Sequence, residues 1–261
     1  MTKQSGDNSV NSPGDLAPSP GDRRRFLNGC RAGLALACAL PSLARTANAA
    51  TRYEPAALVD QNGQALRASN VQVNKEYIFH YPFKSTPCFL IRLDKPAAGG
   101  SSLAKADGSD YIWKGGVGED QSIVAFSAIC AHKLTHPSPM VSFIGYREQP
   151  VGFYNQKTKA VEQKAGIIQC CSEHSIYDPA QGARVMSGPA PQPLAAIELI
   201  EMQGQLVATG VYGGDLFDRY FEEFGNRLMI QHEGDGYLAP VTQEAVVMPG
   251  DEFTQNRIQC G

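Results

Sequence analysis

The pattern of apolar and polar positions changes character twice along the chain. Residues 1–22 have no apolar period and are rich in Ser, Gly, Pro, Asn and Asp, a composition that predicts no fixed structure. A weakly apolar run, Gly33 to Ala44, follows. From Tyr53 onward, short apolar runs alternate with Gly- and Pro-bearing gaps, which predicts strands joined by turns. Glu76–His80, Cys88–Leu93, Gln121–Phe126 and Gly166–Gln169 each read as one strand. Ala195–Glu201 and Gln205–Thr209 read as a hairpin about Gly204, and Lys95–Gly100 as a linker. One helix is predicted, Asp215 to Phe224, closed by Gly225. Its apolar stripe of Leu216, Tyr220, Phe221 and Phe224 is a core face, and Trp113 is expected in the core as well. The tail after Gln231 is punctuated by Gly and Pro and is expected to wrap the domain or dock a partner. Short strands with frequent turn signals make the expected fold class all-β and antiparallel.

Charge and length narrow the function classes. The 26 acidic and 23 basic residues give a net charge of −3, so nothing points to nucleic acid or to an anionic membrane surface. A chain of 261 residues suits one large domain or one and a half small ones. Arg23-Arg24-Arg25-Phe26-Leu27 precedes the weak apolar run, and Ala47-Asn48-Ala49 is a small-residue cleavage pattern with the cut expected before Ala50. Paired Arg ahead of Phe-Leu resembles a twin-arginine export signal, which implies delivery of the folded protein to the periplasm. A basic cluster heading an ordinary helix is the plainer alternative. The apolar run is short of the roughly 20 residues that span a bilayer, so membrane anchoring is expected only through an uncleaved signal.

Of the seven cysteines, Cys30 and Cys38 fall in the leader, leaving Cys88, Cys130, Cys170, Cys171 and Cys260. Seven are too few for a disulfide scaffold at this length. Two cysteines stand in tight pairs with histidine: Cys130-Ala131-His132 and Cys171-Ser172-Glu173-His174. Two thiolates and two imidazoles on two short loops suit a metal centre, either structural zinc or an iron–sulfur cluster with the Cys on one iron and the His on the other. At most one disulfide remains, for example Cys88–Cys260. His80, His136 and His232 are scattered, which disfavours a further mononuclear iron held by two His and a carboxylate. Lys133 reads as a docking charge or a solvated one.

The second pair runs into Ser175-Ile176-Tyr177-Asp178-Pro179, then Gly182, Gly188-Pro189-Ala190 and Pro193-Leu194. With Cys-x-His upstream, this order resembles the Rieske iron–sulfur family. The stretches Pro87–Leu90, Gly116–Asp120 and Ile123–Ser127 look like the small subunit of arsenite oxidase. The resemblance covers roughly residues 70–212. It implies an antiparallel β-sandwich with a small cluster-binding subdomain and a [2Fe–2S] cluster. It further implies Cys130 and Cys171 as ligands of one iron and His132 and His174 of the other, with Ser175 and Tyr177 hydroxyls bonding to sulfur. The domain plan that follows is a leader and signal at 1–49, a Rieske domain at 50–212, and a helix with extension at 213–261. The implied function is an exported one-electron relay, working with a molybdenum-type oxidase subunit or a cytochrome. A quinol-oxidising subunit of a cytochrome bc-type complex and a structural zinc module are the alternatives.

Three departures from the family pattern matter. The disulfide that braces the two loops in high-potential members would need Cys at Thr135 and Glu173. The 38 residues between His132 and Cys171 predict an extra loop or hairpin. A Gly that normally follows the second His is missing. An ungapped match therefore places Cys170 and Glu173 at the ligand positions, whereas Cys171 and His174 preserve both ligand types and are the expected pair.

Overall fold

The computed structural model describes residues 49–156 and 158–260; the paired arginines and the leader through Asn48 lie outside the described residues. The described residues fall in one unit, 43–261. Its main element is an eight-stranded sheet in the order Gln243–Val246, Thr51–Val59, Gln205–Tyr212, Ala196–Met202, Ile123–Ser127, Pro87–Arg92, Glu76–His80 and Met248–Pro249. Neighbours are antiparallel except the first pair, where Ala56 to Val59 run parallel to Gln243 to Val246. The six strands expected from sequence are all present, within three residues at either end.

The central strands are apolar without alternation because both of their faces are covered. Every residue of Ile123–Ser127 is buried, as are the first five of Pro87–Arg92. The strand Asp110–Gly115 is different: it alternates, turning Tyr111 and Trp113 inward and Ile112 outward. Trp113 packs on Phe126 with ring centroids 5.9 Å apart, as a core residue. This strand pairs with Ala98–Ala104, so half of the expected linker is strand.

A second, four-stranded sheet is smaller: Arg184–Ser187, Ser175–Asp178, Ile167–Cys170 and Ile144–Arg147. A hairpin, Val151–Asn155 with Ala160–Lys164, fills the long segment between the two Cys–His pairs. Phe153, Ile167 and Ile176 form a small core of their own beneath it. The fold is thus mostly β, a sandwich-like main sheet carrying a smaller one.

The helix runs Asp215–Gln231 and does not close at Gly225. Buried Leu228 continues the inward stripe of Leu216, Phe217 and Tyr220, and that packing outweighs the roughly 1 kcal/mol cost of an interior Gly. The helix ends at His232, where Glu233 and Gly234 take positive φ. The tail then returns to the body: two of its strands enter the main sheet and Asn256–Arg257 pairs in parallel with Val141–Ser142. Among the described residues no helix is long and apolar enough to cross a membrane.

Candidate metal centre

Two loops meet at one end of the small sheet. The first leaves the buried strand Ile123–Ser127 and closes on itself about Cys130. The Cys130 N–H donates to Thr135 O at 2.8 Å, and Leu134 N–H to Cys130 O at 2.9 Å. The second is the four-residue turn 171–174 between strands Ile167–Cys170 and Ser175–Asp178, with Cys170 paired across the ladder to Ser175. Adjacent residues at a strand end face opposite ways. Cys170 therefore turns into the core, fully buried, while Cys171 is half-buried on the other side.

Inside, Cys130, Cys170 and Tyr177 converge. The Tyr177 hydroxyl lies 3.2 Å from Cys130 Sγ and accepts from the Ala131 N–H at 3.1 Å. The Cys170 thiol bonds to Cys130, holding its thiol well below the usual range against the opposing effect of burial, with Tyr177 helping. Cys170 is pushed up correspondingly, and burial pushes Tyr177 up. One thiolate beside one thiol is the state this arrangement favours.

Two polar atoms on these two loops are buried without a hydrogen-bond partner: His132 Nδ1 and Ser175 Oγ. An orphaned buried donor or acceptor costs about 1–3 kcal/mol. At the rim, Lys133 Nζ bridges to Glu173 Oε1 at 2.7 Å, tying one loop to the other. That pairing pulls the Glu173 carboxyl down, with His132 and His174 adding to the pull. His174 is exposed and takes φ 58°, the left-handed conformation usual for glycine. Among the described residues, no three His, Cys, Asp or Glu side chains stand together as a ready metal site.

From the expected set the structure joins Cys130 and Tyr177; His132 and Ser175 lie on the same two loops, each with one buried polar atom, and the His132 ring is not gathered with the two thiols. Cys171 does not join Cys130 and Tyr177. Cys171 is joined to Cys260 in a disulfide, so its sulfur is not a free thiolate, and Cys170 takes the inward position. The considered Cys88–Cys260 bond is absent: Cys88 is a free, buried thiol. Lys133 proves to be an ion-pair partner rather than a lone charge. His136 packs edge-on against Tyr220 and Phe224 at 5.0 and 5.2 Å, with its Nδ1 2.9 Å from Leu134 O.

Two supporting residues gave no sign in the sequence, and a third, Cys260, was a disulfide candidate with the wrong partner. Arg219, on the helix, donates to Ala131 O at 3.1 Å and His132 O at 3.2 Å. Arg147 donates to Gln169 Oε1 at 3.1 Å and reaches Cys171 Sγ at 3.4 Å. Cys260 lies 89 residues from its disulfide partner. None of them shares a local pattern with the loops it serves.

No known family model matches the chain. Among solved structures it is similar to the soluble domain of Rieske protein II (soxF) from Sulfolobus acidocaldarius. Identity is 23%, over 61% of this chain and 78% of that one, and the TM-score is 0.39.

Proposed function

We propose that this protein is an exported electron-transfer protein holding a Rieske-type [2Fe–2S] cluster, in the periplasm by the twin-arginine route. One observation carries the reading. Two buried thiols, Cys130 and Cys170, meet beside the Tyr177 hydroxyl, on two loops that also carry two buried polar atoms without partners, His132 Nδ1 and Ser175 Oγ. A sulfide-bridged iron pair supplies a partner to each: metal for the imidazole, sulfur for the hydroxyl. The thiolate half of the site and one imidazole therefore fit the group. The proposed ligands are Cys130 and Cys170 on one iron, and His132 with His174 on the other. His174, exposed on the second turn, would supply the second imidazole, since Glu173 is engaged by Lys133. When bound, the cluster supplies one reversible electron at a time.

The chain's own residues set the conditions. With a cluster bound, the Tyr177 and Ser175 hydroxyls would donate hydrogen bonds to sulfur, which would favour the reduced, more negative state. Burial of both cysteines keeps water from sulfur. Arg219 fixes the backbone that presents His132. Outside the site lies a cleft of about 490 Å³ lined by His132, Lys133, Arg219, Glu222 and Glu223. Its mixed charges suit brief docking of a redox partner, a cytochrome or a molybdenum-type oxidase subunit.

The test is the purified, exported protein. It is expected to be coloured, to contain two irons, and to give, when reduced, the low-average-g electron resonance of a mixed Cys–His cluster. Zinc in place of iron would leave a structural module. Cys170→Ser and His174→Ala should both abolish the signal, whereas Glu173→Gln should keep it. Loss in Glu173→Gln with retention in His174→Ala would assign the fourth ligand to the carboxylate.

A further inference from the structure

We propose that residues 254–260 form a covalently locked strap that positions the second loop, and that its Cys171–Cys260 bond selects Cys170 as that loop's free thiol. The strap is zipped along the segment before the small sheet. Thr254 Oγ1 donates to Ser138 O, the Gln255 N–H to Pro139 O and the Ile258 N–H to Ser142 O, each at 2.9 Å. Arg257 reaches across to buried Glu76 at 2.8 Å. The last two contacts fall at the loop itself. Arg147 donates to Ile258 O at 2.7 Å and approaches Cys171 Sγ, and Cys260 closes onto Cys171.

Cys171 and Cys170 are neighbours on one turn, so a free Cys171 would offer iron a second thiolate from the same loop. Bonding it to Cys260 removes that competitor and holds the turn from outside, opposite the buried thiols. Among the described residues no disulfide joins the first loop to the second, and the tail-to-loop bond is what fixes the second loop covalently. The second half of this proposal rests on the cluster reading, and the first half does not.

The bond is placed for exchange. A cleft of about 500 Å³ lined by Arg147, Gln169, Arg257 and Cys260 opens beside it. Closing the strap takes one proton and one electron from each of the two thiols. An external disulfide of a thiol–disulfide exchange protein accepts the electrons and becomes a dithiol; an external dithiol runs the step backwards. Such bonds persist in the oxidising compartment to which the leader directs the chain.

The experiment uses the full exported protein. Alkylation before reduction, then peptide mass mapping, should find residues 171 and 260 cross-linked and Cys88, Cys130 and Cys170 outside any disulfide. Cys260→Ser should release iron to a chelator about tenfold faster, as about 1.4 kcal/mol lost from the closed loop implies, and the freed Cys171 should add a second, minor cluster signal. Cys171→Ser and the double variant should match that release rate, because they remove the same bond, but should keep the single wild-type cluster signal, because no competing thiol remains. Wild-type protein treated with a dithiol should behave like Cys260→Ser. Alkylated Cys171 and Cys260 in untreated protein, or an unchanged release rate in Cys260→Ser, would overturn the strap. Loss of the cluster in Cys171→Ser alone would overturn the selection of Cys170. If the protein proves to hold no iron, the cluster reading fails separately. Cross-linking, with faster amide exchange at 171–174 in Cys260→Ser, then still decides the strap.

Discussion

Gly188 has φ 87°, and a Cβ there would stand 2.5 Å from Ser175 Cα and 2.6 Å from His174 O. Both neighbours are backbone of the second loop, so no flexible side chain is there to yield. Gly188→Ala is expected to displace that loop, at a cost of at least ~1–3 kcal/mol from backbone conformation alone. Chemical denaturation and iron content check this. Tyr177→Phe removes the hydroxyl 3.2 Å from Cys130 Sγ while leaving the ring in place. A bond that favours the reduced state is lost, so voltammetry should find the potential about 60 mV lower, a tenfold change for one electron. At this scale the sequence was informative where chemistry is local. Cys130, His132, Ser175 and Tyr177 are short-range patterns, and Gly188-Pro189-Ala190 stood out for the same reason. Which of Cys170 and Cys171 turns into the core was not legible: one step along a strand swaps core for surface, and two adjacent cysteines leave the register unmarked.

The elements that hold the site divide by how their burial is achieved. Strands covered on both faces write themselves as apolar runs, and those were readable, as Ile123–Ser127 and Pro87–Arg92 illustrate. Ala98–Ala104, rich in small residues, and the more polar Ala160–Lys164 are largely exposed, so their pairing partner decides their state and their own residues do not. The helix was readable in position but not in length, because Leu228 buries a turn beyond Gly225. Nothing in its periodicity marks Arg219, whose two bonds to the first loop depend on how the helix docks. Arg219→Ala should cost ~1–2 kcal/mol, since charge-assisted bonds contribute about 1.5–3 kcal/mol and these are part-exposed. The expected effect is local. Amide exchange at 130–135 should quicken while the exchange of Ile123–Ser127 stays near wild type; a uniform rise would mean that the helix had undocked.

The whole molecule closes where its distant parts meet, and that seam makes it acid-sensitive. A cavity of about 330 Å³ lies between the end of strand Glu76–His80, the first loop's exit, the last helical turns and the tail. His80, His136, His232 and Arg227 all line it, together with Tyr220 and Phe253, and no carboxylate does. Every titratable nitrogen there is a base, so each proton added meets existing or potential positive charge. Burial, with His232 as the second cause, pushes the His80 imidazole down to about 4, and burial also lowers His136. The sign follows directly. Above pH ~6.5 His80 is neutral in both the folded and unfolded chain and contributes no pH dependence. Between ~6.5 and about 4 the unfolded chain binds the proton and the folded one does not, so stability falls as pH falls. The gap between those values sets a ceiling of ~3 kcal/mol, and the ring's partial exposure reduces it to ~2 kcal/mol. Urea unfolding at pH 7 and pH 4.5 should therefore show a smaller acid loss in His80→Gln than in wild type, by that amount. Equal losses in the two proteins would place the acid sensitivity elsewhere, in carboxylates such as Asp120, whose bonds to Ser122 and Arg92 hold it down at about 2.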